Sequence, residues 1–140
     1  YDPTSIDHGR IGRRGPPTTP HTMADVLIVE DTGLQAALIK GFLSGTHSVV
    51  GTAGTAARAV ELAVETAPDA VVMDLRLAAG DGIEATREIT ATRPATGVVI
   101  STVTVDPDTQ QRALEAGADE YLTKPYTRAD LLTAIEESLA

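Results

Sequence analysis

Five short apolar runs punctuate the chain after Met23: Val26 to Val29, His47 to Gly51, Ala70 to Met73, Val98 to Ser101 and Glu120 to Leu122. Most are continuous rather than alternating, the pattern of strands covered on both faces. Between them lie segments with apolar residues at helical spacing: Leu34 to Leu43, Ala56 to Thr66, Gly82 to Thr92, Pro107 to Ala116 and Arg128 to Leu139. In the last of these, Leu131, Leu132, Ile135 and Leu139 form one stripe, and the Thr-Arg-Ala-Asp beginning at Thr127 reads as a capping box with Asp in its final place. Strands that alternate with helices are joined by right-handed crossovers, which make the sheet parallel. The expected fold is therefore a doubly wound α/β domain over residues 23–140.

Composition narrows the class. The chain has 140 residues, 42% of them apolar, enough for one compact core. Residues 1–22 (YDPTSIDHGRIGRRGPPTTPHT) are rich in Pro, Gly, Thr and Arg without an apolar period, so they read as a disordered or tag-derived leader, with RIGRR as a solvated basic patch. No apolar run approaches the ~20 residues that cross a bilayer, and no signal-peptide core is present; the expectation is a soluble, cytoplasmic protein without a membrane partner. The absence of cysteine excludes disulfides, thiolate metal sites and a cysteine nucleophile. Net charge is -9, and residues beyond the leader hold eight Lys/Arg against 18 Asp/Glu, a net -10. Such a surface repels a phosphate backbone, and three Tyr and one Phe make no stacking platform, so direct nucleic-acid binding by this chain is not expected. GTAG at Gly51 to Gly54 lacks the full glycine signature of a dinucleotide loop and reads as a turn that uses positive φ.

Ligands of open α/β sheets sit beyond the carboxyl ends of the strands, so those ends hold the candidate chemistry. The first ends in Glu30-Asp31, the third in Asp74, the fourth in Ser101-Thr102, and the fifth runs through Tyr121 to Lys124-Pro125. If the strand order is 2-1-3-4-5, strands 1 and 3 are neighbours and three carboxylates crowd together, at a cost that a hard divalent cation relieves. Magnesium suits such oxygen ligands and also accepts a phosphoryl oxygen. Lys124 offers a mobile positive charge to a second phosphoryl oxygen and Thr102 a hydroxyl to a third. Asp74, after an apolar run, is the candidate nucleophile, and its attack on phosphorus gives an aspartyl phosphate. Taken singly, each residue has an ordinary reading as a turn, cap or surface group; the set of four strand ends is what points to phosphoryl chemistry.

VLIVED, VVMDLRLAAGDG, VVIST and GADEYLTKP together make Ala24 to Ala140 resemble the receiver domain of two-component response regulators. The resemblance implies the flavodoxin-like (βα)5 sandwich and supplies its order 2-1-3-4-5. By position it implies that Asp74 is the phosphoacceptor and that magnesium, with manganese as a substitute, is held by Asp31, Asp74 and the backbone carbonyl of Arg76, with Glu30 acting through water. It further implies that Thr102 and Lys124 bind the phosphoryl group, that Thr102 and Tyr121 form the switch, that Arg76 and Thr104 tune dephosphorylation, and that Lys124-Pro125 is cis. The implied donor is a sensor histidine kinase or histidine phosphotransfer protein. The implied output is a change of the face built from the fourth helix, fifth strand and fifth helix, around Asp108 to Glu115 and Tyr126 to Glu137, which controls an output domain or partner and offers a route to a homodimer. Self-phosphorylation and self-dephosphorylation would be the only chemistry, without enzymatic turnover. Departures from the family pattern are Leu77-Ala78 where many receivers have Met-Pro, which predicts a more mobile loop, and Val103 where a small residue is usual, which predicts narrower access. The alternatives are a phosphorylation-independent binding or dimerisation module and a small phosphatase-like enzyme.

Overall fold

The computed structural model describes residues 23–140; the leader expected at 1–22 lies outside the described residues. The chain alternates strictly: β1 (Asp25–Val29), α1 (Gly33–Leu43), β2 (Ser48–Ala53), α2 (Ala56–Thr66), β3 (Ala70–Met73), α3 (Gly82–Thr92), β4 (Gly97–Thr102), α4 (Pro107–Glu115), β5 (Glu120–Thr123) and α5 (Arg128–Leu139). All strand pairs are parallel, and the order is β2-β1-β3-β4-β5, as expected.

Two apolar layers sandwich the sheet. On one face Leu27, Val29, Val71, Met73, Val98 and Ile100 meet Leu62 of α2, Ile83 and Ile89 of α3 and Ala113 of α4. On the other, Val26, Ile28, Val72 and Val99 meet Ile39 and Leu43 of α1 and Leu131 and Ile135 of α5. This double cover explains why β1, β3 and β4 read as continuous apolar runs: Val26 to Val29, Ala70 to Met73 and Val98 to Ile100 are fully buried. Helix starts follow side-chain capping. Thr32, Thr55, Asp81, Asp106 and Thr127 each accept a hydrogen bond from a backbone N–H of the first turn, and Thr127 with Asp130 forms the expected capping box.

One sequence expectation is corrected. The GTAG segment is not a positive-φ turn: Gly51 to Ala53 continue β2, and among the described residues the glycines with positive φ are Gly45, Gly80 and Gly117. Val26 pairs with Val49 but Leu27 pairs with Gly51, so Val50 is the extra residue of a bulge in this edge strand. At the opposite end of the sheet from the strand carboxyl ends, α1 turns into β2 at exposed Gly45, whose φ is +83°.

Candidate functional site

The carboxyl ends of β1, β3 and β5 bring the charged residues together. Backbone bonds fix their roots: Glu30 N donates to Ala53 O at 2.8 Å, Asp74 N to Val29 O at 2.9 Å, and Lys124 N to Thr102 O at 2.8 Å. Glu30, Asp31 and Asp74 each offer a carboxylate oxygen, and these atoms lie within 4.8 Å of one another. Lys124 closes the cluster: its Nζ donates to Glu30 Oε2 at 2.7 Å and to Asp74 Oδ2 at 3.1 Å. Arg76 N donates to the other oxygen of Asp74, Oδ1, at 3.1 Å.

Three carboxylates against one ammonium leave this small volume formally short of two positive charges. Burial is the largest influence on Glu30 and, with the Asp74 charge, pushes its pKa up to about 7 although the Lys124 hydrogen bond pulls it down. Burial also pulls the Lys124 ammonium down, but hydrogen bonds to Glu30 and Asp74 outweigh it and hold its pKa above the usual lysine range. Glu30 Oε1 is buried without a hydrogen-bond donor among the described residues. An orphaned buried carboxylate oxygen, in an all-oxygen donor set with excess negative charge, fits a hydrated magnesium ion.

The hydroxyl side of the site lies on β4. Thr102 is fully buried. Its Oγ1 accepts from Thr104 N at 3.4 Å, and Thr104 O accepts from the Tyr121 hydroxyl at 2.9 Å. Thr102, Thr104 and Tyr121 thus form one connected series. Burial raises the Tyr121 pKa, with the Asp106 and Asp74 charges acting in the same direction, so its phenol stays protonated.

The loop after Asp74 is tied at two points, Ala78 N to Gly54 O at 3.1 Å and Ala56 N to Ala79 O at 3.0 Å. Helix α3 begins hard against it: a Cβ on Gly82 would come within 2.5 Å of Asp74 O and 2.7 Å of Leu75 Cα. Val103 is 52% exposed. It lines a cleft of about 260 Å³ with Gln35, Leu38 and Phe42 of α1 and with Lys124 and Tyr126. The Lys124-Pro125 bond is cis.

Sequence reasoning missed one member of this neighbourhood. Ser101 Oγ and Tyr126 OH are 2.7 Å apart, a side-chain hydrogen bond that joins the end of β4 to the start of the β5–α5 loop. The sequence signal was a second hydroxyl, beside Thr102, at the end of an apolar run.

Comparison with known proteins follows the same geometry. A family profile described as the response regulator receiver domain matches residues 26–136. The transcriptional regulatory protein PdtaR of Mycobacterium tuberculosis is 40% identical over 126 residues, covering 85% of this chain and 61% of the relative. The chain thus spans about three-fifths of that curated relative's length. A LuxR-family two-component response regulator from Aurantimonas sp. SI85-9A1 superposes with TM-score 0.79 at 36% identity, over 84% of this chain and 86% of that one. The receiver domain of sensor histidine kinase PA1611 from Pseudomonas aeruginosa, with a magnesium ion coordinated in its active site cleft, gives TM-score 0.75 at 30% identity over 84% of this chain and 98% of that one.

Proposed function

This chain belongs to the receiver domain family of two-component response regulators, and from that premise we propose that it is a switch set by phosphorylation of Asp74. One observation carries the reading: the Lys124 ammonium bridges Glu30 and Asp74 inside an acidic cluster that leaves a buried carboxylate oxygen without a donor. The phosphoryl donor is a histidine kinase or histidine phosphotransfer protein. An Asp74 carboxylate oxygen attacks phosphorus, the P–N bond to the donor imidazole breaks, and its electron pair leaves with the ring nitrogen. Lys124 exchanges its contact with Asp74 Oδ2 for a phosphoryl oxygen, and the Thr102 hydroxyl takes another. Magnesium, when held by Asp31, Asp74 and the Arg76 carbonyl with Glu30 acting through water, would offset the charge on the phosphoryl oxygens.

Movement of Thr102 draws on its contact with Thr104, whose carbonyl anchors the Tyr121 hydroxyl. Tyr121 then turns inward, and the α4-β5-α5 face changes shape for an output domain, a partner or a second copy. Water later attacks phosphorus and releases inorganic phosphate, with Arg76 and Thr104 tuning that rate. The chain turns over no external substrate.

The test is phosphorylation by acetyl phosphate with magnesium, followed by intact mass. Wild-type protein is expected to gain one phosphoryl group, while Asp74→Asn and chelated samples gain none. A wild-type chain that stays unmodified, and whose spectrum beryllofluoride with magnesium leaves unchanged, overturns the proposal in favour of a phosphorylation-independent module.

A further inference from the structure

Ser101 and Thr102 are consecutive on β4, so their side chains point to opposite faces of the sheet. Ile100 and Tyr121 belong to the layer under α2, α3 and α4, which makes that the side of Thr102. Val99, Leu122 and Tyr126 belong to the layer under α1 and α5, and there Ser101 meets the Tyr126 hydroxyl. The hydrogen bond therefore couples the residue next to Thr102 with the residue two beyond Lys124. These are the two groups assigned to the phosphoryl oxygens. On that assignment, we infer that the Ser101–Tyr126 hydrogen bond is a positioning contact that holds Thr102 and Lys124 in mutual register for phosphoryl transfer.

Packing alone does not fix the Tyr126 ring. One side rests on Phe42, with ring centroids 6.2 Å apart and planes tilted by 56°. Another side borders the 260 Å³ cleft beside α1, which gives the ring space to swing into. What keeps the hydroxyl inward is the fully buried Ser101 hydroxyl, which loses a hydrogen-bonding partner if the ring leaves. An apolar pair at these two positions would fill the same core without that directional tie. The β4–β5 ladder, which pairs Val99 to Thr102 with Glu120 to Thr123, and the backbone bond from Lys124 N to Thr102 O already hold the two backbones side by side as far as Lys124. The hydroxyl pair adds a side-chain tie in the layer under α1 and α5, beyond the last paired residue of β5, where the chain past Lys124 is no longer held by the ladder.

The experiment uses Tyr126→Phe, Ser101→Ala and the double variant, which leaves no orphaned hydroxyl and so separates positioning from stability. Rates of phosphorylation by acetyl phosphate and magnesium dissociation constants are measured for each. Both single variants are expected to slow phosphorylation by about 3- to 10-fold, the worth of one ordinary hydrogen bond. Magnesium affinity is expected to hold, and the double variant to be no slower than the singles, because one interaction is lost in all three. Labelling with 3-fluorotyrosine adds a direct readout: the Tyr126 resonance shifts when beryllofluoride and magnesium bind. Unchanged rates, additive losses, or a Tyr126 resonance indifferent to beryllofluoride overturn this inference while the assignment of Asp74 stands. Wild-type protein that accepts no phosphoryl group sinks both.

Discussion

Glu30 sits in a costly environment. Its carboxylate is nearly inaccessible, one oxygen is paired with Lys124 and the other has no donor among the described residues. With a folded pKa of about 7 against an ordinary 4.5, the folded state holds a proton that the unfolded state has released between those values. Stability is therefore favoured below pH 4.5 and declines as pH rises through 7. In chelator, unfolding by urea is expected to show this decline in the wild type and to lose it in Glu30→Gln, which keeps the shape without the charge. Magnesium bound as proposed would compete with that proton, so its stabilising effect is expected to grow across the same pH window. A pH profile identical in wild type and Glu30→Gln would contradict the assignment.

At the scale of elements, α3 is seated where only glycine permits. Gly82→Ala would drive a methyl group into the Asp74 carbonyl and the Leu75 backbone, neither of which is a flexible side-chain end. The helix start must move or the Asp74 loop must, and we expect a loss of about 1–3 kcal/mol of stability with a displaced Asp74 carboxylate. Urea unfolding and acetyl phosphate labelling check the two effects separately. The elements themselves were legible in the sequence because burial on both faces turns each central strand into an unbroken apolar run, and because Thr127 and Asp130 spell out a helix start. The acidic cluster was legible for a related reason: Glu30, Asp31, Asp74 and Lys124 all follow strands directly, and the strand order then decides who meets whom. The β2 edge was misread because its bulge at Val50 shifts the register and lets the strand run on through a Gly-rich segment. The Ser101–Tyr126 contact was hidden because it joins side chains 25 residues apart through a loop whose path no local pattern encodes.

The molecule as a whole is a sheet with a protected centre and less protected margins. β1, β3 and β4 are flanked on both sides, whereas β2 and β5 are edges with partly exposed residues. Amide exchange is expected to be slowest at Val71, Val72, Val99 and Ile100 and at least about tenfold faster along β2 and β5. Equal protection across all strands would show that the edges are covered by something else. Among the described residues no helix is long and apolar enough to cross a membrane. The sheet also has a polarity: its reactive groups gather at one end, while the bend at Gly45 lies at the other, where an added Cβ would touch nothing within 4 Å. That separation gives an engineer a place to splice in a reporter peptide that hangs away from the acidic cluster, provided the insert spares the Arg128 bonds to Phe42 O and Thr46 Oγ1 that link this bend to α5.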